Sequence, residues 1–326
     1  MLNPVAIVNW LSAGTSAVQP HANGQFIRYH ESDYQAYVQD ELAQRLRVVF
    51  APCAQTEVDS WLAKLSGDIY ICALTRSNDY LGLELVLATS NETIFDTFPS
   101  TIFAEYFWVT TELASLHMPG LLVMDMDSTA IEIECIDELA AMAGVGDAVA
   151  GITAKAMRGE LDFEQSLRAR VAKLKGANAN IITQLCDQLP IMPGLAEALA
   201  QLQQYQWKLV VASGGFTPFV NDLKQKLSLD AAFANELVIE QNTLKGEVCG
   251  DVVDAQYKAD VIKHCAKQWQ ITQNQTVAIG DGANDIPMIL TASLGLAFHA
   301  KPKLIEHADI AINQLDMRAL VFCLQG

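Results

Sequence analysis

Three short apolar runs, each ending in an acid, a hydroxyl or a glycine, restrict the folds open to this chain. Leu121-Leu122-Val123-Met124 leads into Asp125, Lys208-Leu209-Val210-Val211-Ala212 into Ser213, and Thr276-Val277-Ala278-Ile279 into Gly280-Asp281. A run with no polar alternation has no face to give to water, so it suits a strand covered on both sides. Helical spacing fills the gaps. Leu195, Ala198, Leu199 and Leu202 share one face within 194–205, and Val261, Ile262, Cys265 and Trp269 share another within 257–269. Strands alternating with helices predict a parallel, doubly wound α/β sheet. Such sheets bind ligands at the carboxyl ends of their strands, where Asp125, Ser213 and Asp281 fall. Two later runs, 294–298 and 309–313, predict further strands.

No strand-like run lies between Ala130 and Pro190. That stretch is rich in Ala, Leu, Glu, Lys and Arg, and predicts several helices inserted after the first strand. Residues 238–253 predict a small hairpin around Gln241-Asn242-Thr243. The first 110 residues differ in texture. Strands are expected at 25–29, 47–50, 69–74 and 83–88, with a helix at 57–65, which describes a separate small α+β domain. The expected organisation is an α+β domain over 1–110 and a larger domain over 111–326. The larger one has a core at 111–131 and 191–326 and a helical cap at 132–190. No catalytic constellation stands out in the first domain.

Charge and cysteine usage narrow the function. A length of 326 residues fits two domains. The net charge of −17 argues against a nucleic-acid partner, because duplex binding needs Lys and Arg against phosphates. A bound divalent cation would reconcile such an acidic chain with an anionic substrate. No apolar run reaches membrane-spanning length, and the start lacks the basic segment of a signal peptide. The seven cysteines are widely spaced with no C-x-x-C, so reduced thiols in a cytoplasmic protein are expected.

The polar residues after the runs carry the chemistry. Asp125 and Asp127 stand two apart just past the first strand. A carboxylate nucleophile divides phosphate ester hydrolysis into two easier steps, and a second carboxyl can protonate the leaving alkoxide and later activate water. Asp125 is the better nucleophile and Asp127 the better acid/base; a pair of turn-capping acids is the other reading. Ser213-Gly214-Gly215 offers a hydroxyl and backbone N–H groups to an anion, or is an ordinary strand-to-helix turn. In Gly280-Asp281-Gly282-Ala283-Asn284-Asp285, Asp281 is the best Mg²⁺ ligand, and Asp285 is a second ligand through water or a supporting partner. Both acids would also suit a helix start. Lys258, on the helix before the third strand, gains interest only from its order in the set.

Taken in order, these motifs are the pattern of the haloacid dehalogenase superfamily. Asp125-Met126-Asp127-Ser128-Thr129, Ala156-Met157-Arg158-Gly159, Phe163-Glu164-Gln165-Ser166-Leu167-Arg168, Arg170, Ser213-Gly214-Gly215-Phe216, Phe233-Ala234-Asn235 and the Gly280–Asp285 string resemble the phosphoserine phosphatases within it. The resemblance runs from about Leu121 to the end of the chain. It implies a Rossmann-like core with a helical cap, and hydrolysis of O-phosphoserine to serine and phosphate, the last step of serine biosynthesis. It implies Mg²⁺ held by Asp125, the carbonyl of Asp127 and Asp281, with Asp285 in support. Ser213, Gly214 and Lys258 would hold the phosphoryl oxygens, and Asn284 would orient the phosphate. In the cap, Glu134 would meet the substrate ammonium and Arg170 its carboxylate, while Met157 and Phe163 would shut out water. Longer relatives carry a regulatory-type, amino-acid-binding domain in front, and the first domain here matches that loosely. The sequence does not give the oligomeric state, and a homodimer is one option for an acidic chain with an extra domain. Two other readings stay open on the sequence. One is a phosphatase or phosphotransferase acting on another small phosphomonoester. The other is an amino-acid sensor with a vestigial core.

Overall fold

The computed structural model of the chain describes residues 7–13, 19–21, 24–31, 44–76, 79–87, 97–99, 103–109 and 112–326. These fall into two units, Met1–His117 with Ile310–Gly326, and Met118–Asp309. The expected boundary at 110/111 lies outside the described residues.

The first unit contains α1 (Ile7–Ser12), β1 (Gln19–His21), β2 (Gly24–Arg28), β3 (Gln44–Phe50), α2 (Gln55–Leu62), β4 (Ile69–Leu74), β5 (Leu81–Leu87) and β6 (Ala104–Val109). The strands form one sheet in the order β1-β2-β4-β5-β3-β6, antiparallel except for β2 with β4. Trp10 and Leu11 of α1 and Val58, Trp61 and Leu62 of α2 share a core with Phe26, Leu46, Leu83 and Leu85 of the sheet. The sequence pattern did not anticipate α1, β1 or β6.

The membership of Ile310–Gly326 in this unit also departs from the sequence reading, which placed that segment in the second domain. Its cause is a buried arginine. Arg47 on β3 donates from Nε to Glu84 at 2.8 Å and from Nη2 to Glu31 at 3.0 Å. Its Nη1 donates to the carbonyls of Phe322 and Leu324 at 2.6 and 2.7 Å. A fully buried guanidinium must have its donors met, and the C-terminal segment supplies two of the acceptors.

The second unit opens with β7 (Leu121–Met124), all four residues of which are buried. Four helices follow: α3 (Cys135–Met142), α4 (Gly146–Met157), α5 (Phe163–Lys173) and α6 (Asn180–Asp187). They are the inserted helical segment. Then come α7 (Leu195–Gln204), β8 (Lys208–Phe216), α8 (Thr217–Leu227), β9 (Ala231–Glu240), β10 (Thr243–Cys249), α9 (Ala255–Trp269), β11 (Thr276–Gly280), α10 (Ile286–Thr291), β12 (Leu294–Phe298) and α11 (Pro302–Ile305). The strand β13 (Ile310–Ile312) begins the C-terminal segment. Within the second unit the order is β10-β9-β8-β7-β11-β12. All neighbours are parallel except the β9–β10 hairpin. Its turn residues Gln241 and Asn242 have φ of 46° and 58°, the left-handed pair of a type I′ turn. Strand β7 lies between β8 and β11, so its end is the middle of the sheet's carboxyl edge. Among the described residues, no helix is long and apolar enough to cross a membrane.

Candidate active site

Three loops meet at that edge. The one after β7 folds tightly: the N–H groups of Thr129, Ala130 and Ile131 all donate to the Met126 carbonyl, and Ser128 adopts a left-handed φ of 56°. This turn brings both acids of the Asp-x-Asp pair toward one cavity of about 360 Å³. Asp125 Oδ1 accepts the Met126 N–H at 2.7 Å, and Asp127 Oδ1 accepts the Cys135 N–H at 3.0 Å. Lys258, buried on α9, places Nζ 2.7 Å from Asp125 Oδ1 and 2.8 Å from Asp285 Oδ1. Asp285 Oδ2 in turn accepts the N–H groups of Asp281 and Gly282 at 3.2 and 3.1 Å. So Lys258 is no surface lysine; it links the loops after β7 and β11.

Strand β8 runs on through Ser213-Gly214-Gly215 to Phe216, with its pairing to β9 shifted between Ala212 and Phe216. Ser213 is fully buried, and its hydroxyl accepts the Gly215 N–H at 2.8 Å. Gly214 allows close approach: a Cβ there would lie 2.7 Å from the Phe163 ring. Asn235 of β9 donates to the Gly214 carbonyl and accepts the Val253 N–H, both at 2.8 Å. This buried asparagine braces the β8 loop. The sequence held it only as part of a matching string, with no role.

Burial and like charge govern the electrostatics. Burial, and then Asp285 nearby, holds the Asp125 carboxyl well above its ordinary range, against the pull of Lys258. Burial and Glu134 push Asp127 up to about 7, and burial and Asp285 push Asp281 up to about 6. Burial alone would lower Lys258, but Asp125 and Asp285 more than offset it and keep the ammonium charged. Asp125, Asp281 and Asp285 can bring one carboxylate oxygen each within 4.8 Å of one another. Three crowded acids with one lysine among them suit a divalent cation, which would relieve the repulsion.

The inserted helices close the other side. Asp162 starts α5 with a capping box, accepting the Gln165 N–H at 2.8 Å while the Gln165 side chain accepts the Asp162 N–H at 3.2 Å. That fixed start presents Phe163 and, two turns on, Arg170 to the cavity. Burial lowers the proton affinity of Arg170, opposed by Asp137 and Glu134, and its buried Nε has no hydrogen-bond partner. Glu134 Oε1 accepts from the Ser128 hydroxyl at 3.2 Å. Asn284 also lines the cavity. Met157 lines it as well but is 82% exposed, so it does not seal the cavity in this arrangement. Ten of the twelve residues singled out from sequence therefore line one cavity, and Ser213 and Asp285 stand behind its wall. Lys301 lines the cavity too, and sequence reasoning missed it.

Comparison with known proteins agrees with this arrangement. Residues 120–292 match the family of haloacid dehalogenase-like hydrolases. A phosphoserine phosphatase of Haemophilus influenzae is 56% identical over 211 residues, 65% of this chain and 67% of that protein. The chain belongs to the phosphoserine phosphatase family of haloacid dehalogenase-like hydrolases. The crystal structure of a probable phosphoserine phosphatase from Vibrio cholerae, unliganded, superposes with a TM-score of 0.70 at 41% identity, covering 86% of each chain. A phosphoserine phosphatase bearing an analogue of its phospho-aspartyl intermediate superposes with a TM-score of 0.60 at 41% identity, covering 64% of this chain and 99% of that one.

Proposed function

We propose that the chain hydrolyses O-phospho-L-serine to L-serine and phosphate, with Mg²⁺ as cofactor. The observation that carries the reading is the shared cavity. On its floor Asp125 and Asp127 stand beside a lysine-bridged acid cluster, and on its cap side Glu134 and Arg170 face it. An acid for an ammonium and a guanidinium with an unpartnered Nε for a carboxylate are what an amino-acid phosphate requires.

In this reading Asp125 attacks phosphorus. A bond forms between its carboxylate oxygen and phosphorus as the ester P–O bond breaks. Asp127, whose proton affinity is raised to about 7, is protonated in a large share of molecules near neutral pH and gives its proton to the seryl oxygen as it leaves. Now ionised, Asp127 takes a proton from water, which attacks phosphorus and returns the Asp125 carboxylate. Lys258 holds Asp125 in place and offsets charge on the phosphoryl oxygens, together with the Ser213 hydroxyl and the Gly214 N–H. Asn284 orients the phosphate, and Phe163 excludes water from it. Mg²⁺, held by Asp125, the Asp127 carbonyl and Asp281 with Asp285 behind them, would supply positive charge to the phosphoryl group. The seven free cysteines support a reducing, cytoplasmic setting.

The test is phosphate release from O-phospho-L-serine with Mg²⁺ and with EDTA, beside O-phosphothreonine and p-nitrophenyl phosphate. Fast, EDTA-sensitive release selective for phosphoserine is expected. Release from the aryl phosphate alone would retain the aspartyl-phosphate chemistry and discard the roles of Glu134 and Arg170.

A further inference from the structure

The cavity lining includes five carboxyl groups, Asp125, Asp127, Glu134, Asp162 and Asp281, on a chain of net charge −17. A phosphate dianion arriving from solvent meets a wall of its own sign. The three cations lining the cavity are not equivalent. Lys258 is buried, with Nζ bound to two carboxylates, so its charge is largely offset before substrate arrives. Arg170 sits in the field of Asp137 and Glu134.

Lys301 differs from both. Its side chain is 67% exposed, and its Nζ stands 3.7 Å from Asp281 Oδ2, too long for a hydrogen bond. The ammonium is therefore hydrated and loosely held. Its root is fixed. The Lys301 N–H donates to the Asp281 carbonyl at 2.9 Å, tying the loop after β12 to the loop after β11. Pro302 follows, which restricts Lys301 to extended backbone, and α11 begins there. His299, at φ 44° and stacked on Phe298, turns the chain toward this position. The result is an exposed cation on a hydrogen-bonded base beside Asp281.

We propose that Lys301 is the steering cation of this site. It draws the phosphate dianion past the acidic wall without touching phosphorus or exchanging a proton. The proposal rests on the reading of the site as one for a phosphate ester. A cation focused in a charged cleft raises the local concentration of an anion, and the effect shrinks as salt screens it. Because the substrate charge persists in the transition state, the gain appears in kcat/KM and not in kcat.

The experiment measures kcat and kcat/KM of the full chain with Mg²⁺, on O-phosphoserine and p-nitrophenyl phosphate, at low and high ionic strength. It compares wild type with Lys301→Met, Lys301→Glu and Lys301→Arg, and adds the calorimetric affinity for orthophosphate, which needs no turnover. For Lys301→Met, kcat/KM and orthophosphate affinity should fall about 3- to 10-fold at low salt, and kcat should change by less than about twofold. Lys301→Glu should lose more, Lys301→Arg little, and the differences should close near ~0.5 M salt. Losses equal at both salt concentrations, or a fall in kcat with weaker Mg²⁺ binding, would overturn the proposal and make Lys301 a prop for Asp281. Unchanged orthophosphate affinity in Lys301→Glu would overturn it as well. Turnover of the aryl phosphate but not of O-phosphoserine would count against the substrate alone, leaving the Lys301 comparison intact.

Discussion

Two aspartates two residues apart are given different work by their surroundings. Asp125 is tied to Lys258 at 2.7 Å, while Asp127 is bonded by Cys135 and lies in the field of Glu134. Lys258 draws Asp125 toward the ionised form it needs to attack, against the burial and the Asp285 charge that raise its proton affinity, while the surroundings of Asp127 suit a carboxyl that must carry a proton. Asp125→Asn should lower kcat by at least about 10³-fold with the thermal unfolding midpoint nearly unchanged. Retained turnover would mean another nucleophile. Arg170→Ala should raise KM for O-phosphoserine by roughly 10- to 100-fold, the worth of a charge-assisted pair, and leave p-nitrophenyl phosphate within about threefold. Equal effects on both substrates would show that Arg170 does not read the carboxylate. The sequence made these residues legible because motif and strand end coincide. It could not show that Lys258 is buried between two acids, or that Asn235 braces Gly214, because both facts depend on pairings across separate loops.

The elements were legible to different degrees for physical reasons. Strands β7, β8 and β11 are covered on both faces, so each leaves an unbroken apolar run that needs no context to read. Strand β6 carries Glu105, whose carboxylate accepts the N–H groups of Asn313 and Leu315 at 2.7 and 3.0 Å. A charge satisfied by a segment about two hundred residues away looks like solvent-facing sequence when read locally. The same holds for Arg47 and the carbonyls of Phe322 and Leu324. The carboxyl end of β11 tolerates no added side chain without movement. A Cβ at Gly280 would lie 2.4 Å from Asp285 Oδ2 and 2.5 Å from its carboxyl carbon. Gly280→Ala must therefore push Asp285 away from Lys258 or bend the strand. It should cost about 1–3 kcal/mol in a thermal melt, as overpacking does, and lower kcat at least tenfold. A variant with wild-type kcat would show that the Lys258–Asp285 contact is not needed for turnover.

Across the whole molecule acids outnumber bases, and two of the acids lining the cavity, Asp127 and Asp281, make stability depend on pH in a definite sense. Asp127 and Asp281 have proton affinities raised to about 7 and about 6, above the unfolded-chain value of 3.8. Below that value both states hold these protons, and the stabilisation is fully present. As pH rises the unfolded chain ionises first, and the native state is left binding more protons. Stability of the metal-free protein is therefore lost progressively as pH climbs through 6 and 7. With allowance for the solvent reaching Asp127, the loss between pH 5 and pH 8 is on the order of 2 kcal/mol, roughly 4–8 °C for a unit of this size. Mg²⁺ needs ionised carboxylates, so its stabilising shift should be small at pH 5 and largest at pH 8, where it removes the repulsion that destabilised the empty site. Scanning calorimetry with EDTA and with saturating Mg²⁺ over this range checks both slopes together. A metal-free midpoint that stays flat or rises from pH 5 to pH 8 would mean that these acids ionise at ordinary pH. The acid/base assignment of Asp127 would then lose its physical basis.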